Sequence, residues 1–233
     1  MKNNKRVLSS AIILLGGEGK RMKSDVKKQY INIKGFPVIY YTIKAFEKSN
    51  IDEIVLVVPK GEEELVRKDI VDFYSFSKVK TIVEGGSERI WSVKNGLLVS
   101  KGEYVLIHDG VRPLISTNKI NSIIKEVQKK RRVILALPSK DTIKIVKDGK
   151  IEKTVDRKTA YIIQTPQAFL RDDILDSYKK IEKNSKFDIT RITDDAMLME
   201  LTGKDVYVTM GDYRNIKLTT KEDIETVESL LGL

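Results

Sequence analysis

Apolar, β-branched runs alternate with segments of helical periodicity along the first part of the chain. The apolar runs predict strands at 7–15, 54–58, 80–83, 104–108 and 133–137. The segments between them predict helices at 38–48, 62–73, 87–99 and 117–129. This alternation predicts an α/β fold in which a mostly parallel sheet carries helices on both faces and binds ligands at the carboxyl ends of its strands.

The pattern changes after Leu137. Two partly alternating runs, 142–146 and 151–155, flank an Asp-Gly pair and predict a β-hairpin. A polar hairpin buries little against its own core, so we expect it to project and meet a second subunit. The alternative is an edge hairpin that lies on its own sheet. Further helices are predicted at 172–182, 194–201 and 221–231, and a strand at 206–210. We therefore expect a single domain, 1–233, with a hairpin arm at about 138–158.

Cysteine and histidine usage restricts the chemistry. The 233 residues include no cysteine, which excludes disulfides and thiolate metal sites. His108 is the single histidine, so a zinc site built on imidazoles is also excluded. Any catalytic metal is therefore expected to be a hard cation held by carboxylates and phosphates, which favours Mg²⁺.

The net charge of +10 invites a nucleic-acid hypothesis. However, the 43 basic residues are spread among 33 acidic ones, and the few aromatic residues do not form a stacking platform. We expect no nucleic-acid partner. The charged and apolar N-terminus imitates a signal peptide but runs directly into a glycine-rich loop, and no apolar stretch approaches the ~20 residues that span a bilayer. We therefore expect a cytoplasmic protein that does not enter the membrane.

A glycine-rich loop follows the first predicted strand. Gly16-Gly17-Glu18-Gly19 lets backbone N–H groups approach phosphate oxygens, and Lys20, Arg21, Lys27 and Lys28 add positive charge. The loop is not a P-loop, because no serine or threonine follows the Gly-Lys pair, and it lacks the third glycine of a dinucleotide fingerprint. The alternative is a tight turn with solvated lysines. The concentration of cations favours a polyphosphate ligand.

Two further motifs leave the ends of predicted strands. The segment 84–93 has glycines that allow a flat ligand to approach, with Ser87 and Ser92 to offer hydrogen bonds to a base. The segment 108–113 sets Asp109 beside Arg112. Asp109 could accept hydrogen bonds from sugar hydroxyls or from water around Mg²⁺, and Arg112 could pair with Asp109 or face a phosphate. His108 is interpreted as a core residue rather than a catalyst.

Together these motifs make the chain resemble the 2-C-methyl-D-erythritol 4-phosphate cytidylyltransferase family. The resemblance extends from Val7 to about Ile224. The motifs that carry it are Gly17-x-Gly19-x-Arg21, Lys28-Gln29-Tyr30, Gly85-Gly86-x-x-Arg89-x-x-Ser92-Val93, His108-Asp109-x-x-Arg112-Pro113, Asp141-Thr142, Thr154-Val155-Asp156-Arg157, Thr165-Pro166-Gln167, Ile192-Thr193-Asp194-Asp195 and Asn215-Ile216-Lys217.

The resemblance implies a Rossmann-like nucleotidyltransferase fold and a homodimer in which each hairpin arm covers the partner's site. It also implies transfer of CMP from CTP to 2-C-methyl-D-erythritol 4-phosphate, with Mg²⁺ held mainly by the CTP phosphates and with Asp109 as a potential ligand. The products are 4-diphosphocytidyl-2-C-methyl-D-erythritol and pyrophosphate.

The resemblance also implies roles for individual residues. Arg21 and Lys28 would stabilise the transition state, while Arg157 and Lys217 would orient the attacking phosphate. The residues expected to line the CTP pocket are Leu15, Gly16, Gly17, Gly19, Gly86, Ser87 and Ser92. The residues expected to hold the acceptor substrate are Asp109, Arg112, Thr142, Thr165, Thr193 and Lys217, with Thr142 and Arg157 supplied by the neighbouring subunit.

The chain departs from the usual pattern of this family at three places. Leu15-Gly16 stands where the family usually has Ala-Ala, Lys27 replaces the proline before the catalytic lysine, and Gly110-Val111 replaces a second Ala-Ala. Two alternative functions remain open at this point. One is a related cytidylyltransferase that acts on ribitol 5-phosphate, and the other is a non-catalytic module that binds a nucleotide or nucleic acid.

Overall fold

A computed structural model of the chain describes residues 8–16, 27–183 and 188–232. Its strands are β1 (Ser9–Leu14), β2 (Asn32–Ile33), β3 (Phe36–Pro37), β4 (Glu53–Val58), β5 (Val79–Glu84), β6 (Tyr104–Asp109), β7 (Arg132–Pro138), β8 (Lys144–Lys147), β9 (Lys150–Thr154), β10 (Tyr161–Leu170) and β11 (Tyr207–Met210). Its α-helices are α1 (Val38–Glu47), α2 (Glu63–Val66), α3 (Arg89–Val99), α4 (Thr117–Lys130), α5 (Arg171–Glu182), α6 (Asp195–Leu201) and α7 (Lys221–Leu231).

The central sheet has seven strands in the order β11-β7-β10-β6-β1-β4-β5. All neighbouring strands are parallel except that β10 runs antiparallel to both β6 and β7. The predicted α/β fold with a mostly parallel sheet is therefore confirmed. Because β1, β4, β5 and β6 are parallel, their carboxyl ends meet at one edge, where ligands bind in open sheets of this kind.

Within the central sheet, β10 is the strand that the sequence pattern did not predict, and the two-residue strands β2 and β3 outside that sheet were not predicted either. Its centre contains Gln164-Thr165-Pro166-Gln167, and polar residues and proline argue against a central strand. The pairing of β10 with β7 shifts its register between Gln164 and Gln167, so this irregularity takes up the proline. The polar side chains are nevertheless buried, and they bond to neighbouring segments at the functional edge of the sheet.

Two apolar layers hold the helices against the sheet. Ala11 and Ile13 of β1 belong to a cluster with residues of α1, α2 and α4, whereas Ile12 and Leu14 belong to a second cluster with α3, α5 and α6. Successive side chains of a strand point to opposite faces, so one buried strand supplies both layers. The helix pattern predicted at 62–73 is realised as α2 followed by a π-helical segment, Arg67–Asp72.

The hairpin of β8 and β9 forms a two-stranded sheet of its own. Every residue of both strands is exposed. The alternative of an edge hairpin paired to the main sheet is not seen in the described residues, and the predicted projecting hairpin is. Across the described ranges, no helix is long and apolar enough to cross a membrane.

A close approach between α3 and the sheet gives the first prediction. A Cβ added at Gly96 would lie 2.5 Å from Ile12 Cγ2 and 3.0 Å from Val57 Cγ2. We expect Gly96→Ala to lower the free energy of unfolding by about 1–3 kcal/mol through overpacking. Alanine's higher helix propensity, about 1 kcal/mol, acts in the opposite direction. Urea unfolding measures the change.

The control for this prediction lies on the same helix. Leu98 is exposed, so Leu98→Ala should change the free energy of unfolding by no more than about 0.5 kcal/mol. A Gly96→Ala variant that is more stable than the wild type would contradict the close packing of α3.

Candidate active site

A nearly buried carboxylate, Asp109, stands at the carboxyl end of the central strand β6. Its Oδ2 atom lies 3.0 Å from Lys217 Nζ and 3.2 Å from Arg112 Nε, and its Oδ1 atom lies 3.9 Å from Arg89 Nε. These cations come from three separate segments of the chain. The structure thus brings together Asp109, Arg112 and Lys217, which the sequence analysis assigned to one site.

The charge of Asp109 is strongly stabilised. Burial by itself would raise the pKa of this carboxyl, but Lys217, Arg89 and Arg112 outweigh that effect and hold the pKa well below its ordinary range. Asp109 is therefore ionised at any pH near neutrality. Its oxygens can accept hydrogen bonds, and three cationic groups face the same small region.

A second ion pair connects Arg89 to the segment that carries Thr193. Arg89 donates two hydrogen bonds to Asp195, with Nη1 to Oδ1 at 3.1 Å and Nη2 to Oδ2 at 2.7 Å. Asp195 is only 2% exposed, and burial raises its pKa although Arg89 opposes this. Because Arg89 also faces Asp109, it joins two parts of the predicted acceptor site. The Thr193 side chain is exposed nearby in the sequence, ahead of α6.

The hydroxyl of Thr165 contacts the backbone of Asp109 and the side chain of His108. Its Oγ1 atom accepts a hydrogen bond from the Asp109 backbone N–H at 3.2 Å and lies 3.0 Å from His108 Nδ1. His108 is completely buried, and burial lowers its pKa to about 3. The imidazole is therefore neutral near pH 7, and the interpretation of His108 as a core residue is confirmed.

The turn after β5 is shaped by Ser92. Its Oγ accepts a hydrogen bond from the Gly86 backbone N–H at 3.0 Å and lies 3.1 Å from the Glu88 carbonyl oxygen, to which it donates. Gly86 and Ser87 are exposed on this turn, while Ser92 is buried beneath it. Ser92 thus fixes the backbone of the turn, and Gly86 and Ser87 present the accessible surface. Their predicted contacts with CTP stay predictions.

Leu15 continues β1 into the glycine-rich loop. Its backbone N–H donates to the Val57 carbonyl oxygen at 2.8 Å. Its side chain is 2% exposed and belongs to the core cluster of α1 and α4. Only the backbone of Leu15 is therefore available to a nucleotide, together with the exposed Gly16.

The departures at residues 15 and 110 are a single packing feature. A Cβ added at Gly110 would lie 2.5 Å from Leu15 Cδ2, 2.9 Å from the Leu14 carbonyl oxygen and 3.2 Å from Ile39 Cδ1. The larger side chain at position 15 thus fills the space that a side chain at position 110 would take. The pair conserves volume next to Asp109.

The predicted phosphate loop is described only at its ends. Gly17, Gly19 and Arg21 lie outside the described residues, so their predicted roles stay predictions. Lys28 begins a short 3₁₀ turn, Lys28–Tyr30, and its Nζ lies 3.5 Å from the Thr219 carbonyl oxygen. Lys27, the residue in place of proline, pairs with Glu62, which also accepts a hydrogen bond from the Tyr30 hydroxyl at 2.7 Å.

The two residues expected from a partner subunit lie on the hairpin arm. Arg157 Nη2 donates to Thr142 Oγ1 at 3.1 Å, and both residues are exposed. Thr142 precedes β8 and Arg157 follows β9, so both lie at the end of the hairpin opposite its Asp-Gly turn. The structure brings Thr142 and Arg157 together, as a pair separate from the Asp109 cluster.

Three site residues had no assigned role in the sequence analysis, although its motifs contained them. They are Arg89, Asp195 and Asn215, whose carbonyl oxygen accepts a hydrogen bond from Arg112 Nη1 at 2.9 Å. The available signal was their position, because Arg89 and Asp195 are each the first residue of a helix that buries its next apolar side chains. A charged residue at such a junction often needs a partner. Nothing in the local sequence identifies which partner, since residues 89 and 195 are far apart in the chain.

The assembled site suits an anionic substrate. Cations from three segments surround one carboxylate at the edge of the sheet, next to an exposed glycine turn. In the described ranges, no group of three or more histidine, aspartate or glutamate side chains could hold a metal ion. Because Lys217, Arg112 and Arg89 outnumber the Asp109 and Asp195 carboxylates that they face, the arrangement can bind phosphate groups and stabilise charge on them by electrostatics.

Comparisons with known proteins agree with this chemistry. The family model for 2-C-methyl-D-erythritol 4-phosphate cytidylyltransferase matches residues 9–232. A protein of that name from Lachnoclostridium phytofermentans is 47% identical over 225 residues, which cover 95% of each chain. One from Clostridium acetobutylicum is 43% identical and covers 96% of this chain and 97% of its own.

A solved structure is similar over nearly the whole chain. The 4-diphosphocytidyl-2C-methyl-D-erythritol synthase from Anaerococcus prevotii superposes with a TM-score of 0.82 at 35% identity. The match covers 97% of this chain and 99% of that protein. The likeness therefore extends over nearly all of the fold.

The packing of Leu15 against Gly110 gives the second prediction. We expect Gly110→Ala to lower the free energy of unfolding by about 1–3 kcal/mol and Leu15→Ala to lower it by about 2–5 kcal/mol. The double variant should lose at least about 1 kcal/mol less than the sum, because each change relieves the other. Relief is incomplete, since the Leu14 carbonyl oxygen remains near the new Cβ.

Urea unfolding of the four proteins tests this coupling. Leu97 is equally buried but belongs to the opposite core layer, so the effects of Leu97→Ala and Gly110→Ala should add within about 0.5 kcal/mol. Additive effects of Leu15→Ala and Gly110→Ala would show that the two positions do not share one space.

Proposed function

The chain belongs to the 2-C-methyl-D-erythritol 4-phosphate cytidylyltransferase family, and we propose that the cations around Asp109 bind and orient the acceptor phosphate for the reaction. The protein is a nucleotidyltransferase of isoprenoid biosynthesis. It transfers CMP from CTP to 2-C-methyl-D-erythritol 4-phosphate and releases pyrophosphate. The observation that carries the proposal is the convergence of Lys217, Arg112 and Arg89 on one carboxylate at the carboxyl end of β6.

The reaction needs positioning and charge stabilisation more than covalent help. A phosphate oxygen of the acceptor attacks the α-phosphorus of CTP, a new P–O bond forms, and the bond from the α-phosphorus to the bridging oxygen of pyrophosphate breaks. Both reacting groups are anions, so bringing them together requires cations. No general base is required, because the attacking phosphate is already ionised near neutral pH.

We assign the two sides of the site to the two substrates. The turn at Gly86 and Ser87 and the backbone at Leu15 and Gly16 would hold CTP, because they offer exposed backbone without bulky side chains. Asp109, Arg112, Thr165 and Thr193 would hold the acceptor, whose hydroxyls suit the Asp109 carboxylate. Lys217 and Arg157 would orient the attacking phosphate, and Arg21 and Lys28 would stabilise the transition state.

We propose that Mg²⁺ enters with CTP and is held mainly by the triphosphate. Asp109 does not fit as a direct ligand, because its oxygens already face Lys217, Arg112 and Arg89, and a dication beside three cations is electrostatically unfavourable. Mg²⁺ commonly keeps water and substrate phosphates as ligands rather than occupying a protein cage. When bound, the ion neutralises charge on the phosphates.

We further propose a homodimer that works in the cytoplasm. The support for a dimer is the hairpin arm, whose strands β8 and β9 are exposed throughout and on which Ile145, Val146 and Ile151 present apolar side chains to solvent. Exposed apolar groups on a projecting hairpin are typical of an interface. Each arm would carry Thr142 and Arg157 to the site of the partner subunit.

The third prediction concerns the reaction itself. With CTP and Mg²⁺, the purified protein should release pyrophosphate when 2-C-methyl-D-erythritol 4-phosphate is added. Ribitol 5-phosphate in a parallel reaction should give at most about 1% of that rate, because the acceptor hydroxyls must match fixed polar groups. A coupled pyrophosphate assay measures both, and excess EDTA should stop release until Mg²⁺ is restored.

The possible outcomes separate the parts of the proposal. Release with ribitol 5-phosphate alone would overturn the acceptor assignment while leaving cytidylyl transfer in place. Full activity in EDTA would overturn the role of a divalent cation. Folded protein that is silent with both acceptors would overturn the proposed function.

The fourth prediction tests the arm in trans. Arg157→Ala and Lys217→Met should each be nearly inactive alone. A random mixture of the two should recover about a quarter of wild-type activity, because half of the dimers are mixed and each has one intact site of two. Co-expression of the variants with different affinity tags produces the mixture.

Its control is the mixture of each variant with itself, which should stay inactive. If the arm serves its own subunit, the mixed dimers contain no intact site, and activity should not recover. Elution of the wild-type protein as a monomer in size-exclusion chromatography would also contradict the proposal.

A further inference from the structure

Two buried side-chain amides, those of Gln164 and Asn215, join β10 to the segment that carries Lys217. Each amide bonds to the backbone of the other segment. Gln164 lies on β10, and Asn215 lies two residues before Lys217. Gln164 Nε2 donates to the Asp212 carbonyl oxygen at 2.9 Å, and the Asp212 N–H donates to Gln164 Oε1 at 3.1 Å. In the other direction, Asn215 Nδ2 donates to the Thr165 carbonyl oxygen at 2.7 Å. We call Gln164 and Asn215 the amide latch.

The fit around the latch is close. Asn215 is completely buried and Gln164 is nearly so. A Cβ added at Gly211 would lie 2.4 Å from Gln164 Oε1 and 3.3 Å from the Ala136 carbonyl oxygen. Glycine at position 211 is therefore what allows the chain to pass close enough for both Gln164 bonds to form.

The latch holds the segment that delivers Lys217. The Asn215 carbonyl oxygen accepts a hydrogen bond from Arg112 Nη1 at 2.9 Å, and the Leu218 N–H donates to the Val111 carbonyl oxygen at 2.9 Å. Lys217 lies between these two anchors, with its Nζ 3.0 Å from Asp109 Oδ2. The backbone on both sides of Lys217 is thus fixed to the loop that carries Asp109 and Arg112.

The chemistry of Asn215 indicates a role beyond stability. Within the described part of the chain, its Oδ1 atom is buried without a hydrogen-bond partner. A buried polar atom left unpaired costs stability, so an amide is a poor choice for packing alone. What the amide supplies is a donor aimed at one backbone oxygen, and that oxygen belongs to Thr165.

We propose that Gln164 and Asn215 are positioning residues that set the place of Lys217 relative to the acceptor substrate, with the Thr165 backbone as the anchor of the Asn215 amide. They act through Lys217 and touch neither substrate. The inference rests on the proposed function, because it concerns residues that position a group of that same reaction without contacting its substrates. Because misplacement of a reacting group by about 1 Å can cost about 10²-fold in rate, a latch at this position has kinetic consequences.

The fifth prediction concerns two substitutions that leave the net charge unchanged and disrupt the latch from opposite sides. Asn215→Ala removes the donor to Thr165, and Gly211→Ala displaces the Gln164 amide. Each should lower kcat by about 10–10²-fold and raise the KM for 2-C-methyl-D-erythritol 4-phosphate. The Kd for CTP, measured by calorimetry, should stay within about 3-fold, because the elements that hold CTP are elsewhere.

Asn121→Ala is the matched control. Asn121 also uses its amide to bind the backbone of another segment, accepting from the Asn50 N–H at 2.7 Å. It lies on α4, away from the Asp109 cluster. Its loss should lower the melting temperature without changing kcat or the KM of either substrate.

A double variant separates positioning from a general structural effect. If the latch acts through Lys217, adding Asn215→Ala to Lys217→Met should lower kcat/KM by no more than about 3-fold below Lys217→Met alone. A latch that merely stabilised the protein would lower activity by the same factor in both backgrounds.

The pH response of Asn215→Asp gives an independent readout. An ionised carboxylate cannot donate to the Thr165 oxygen, whereas a protonated one can. Burial and the Thr165 and Gln164 oxygens that face this position favour the protonated carboxyl group, whereas Arg112, bonded to the carbonyl oxygen of residue 215, and Lys217, two residues away, are paired with Asp109 and oppose this only in part. Activity relative to the wild type should therefore rise as the pH is lowered from 8 to about 6. Asn215→Ala should show no such recovery.

Several outcomes would overturn the latch. Wild-type kcat in Asn215→Ala and Gly211→Ala would do so, as would full multiplicativity with Lys217→Met. Loss of CTP binding in the latch variants would show that their effect is on the whole fold. Failure of the wild type to use 2-C-methyl-D-erythritol 4-phosphate is distinguishable, because it would defeat the proposed function before any variant is compared.

Discussion

A carboxylate placed at the end of the central strand imposes the main constraint on this protein. Asp109 is 8% exposed and ionised, and a charge removed from water must be compensated by partners. Its partners are Arg89, Arg112 and Lys217, which belong to three separate segments. The site is therefore complete only when these segments are in their folded positions. The same contacts that neutralise a buried charge also gather the cations that the reaction requires.

The antiparallel strand β10 connects the segments of the acceptor side through its polar side chains. It lies between β6 and β7, and its irregular centre replaces regular pairing with polar side chains. Each of these ties down a different segment: Gln164 holds Asp212, Thr165 supports Asp109, and Gln167 binds Asp194 and the N–H of Ala196. A regular strand at this place would offer only its backbone to its neighbours. Polar residues in the middle of a sheet are thus the means by which the two loops of the acceptor side are joined.

The predictable part of the fold is the part that periodicity describes. The strands of the sheet and the helices on its two faces are predictable because each buries apolar side chains. The hairpin is predictable because Asp-Gly favours a tight turn. Strand β10 was not predicted, because its buried positions include glutamine, threonine and proline. Asp109, Arg112 and Lys217 were assigned to one site through a family resemblance. The pairing of Arg89 with Asp195 was not predictable, because no local pattern connects residues so distant in the chain.

The same limit applies to the departures at Leu15 and Gly110. Read one at a time, a larger residue beside the nucleotide loop and a smaller residue beside Asp109 are two separate changes to a binding site. In the fold they face each other, and the Leu15 side chain occupies the volume that Gly110 leaves open. The leucine therefore points into the core and does not narrow the ligand pocket. A substitution at a site can be judged only with the residue it packs against, and that residue is determined by the pairing of β1 with β6 rather than by the sequence around either position.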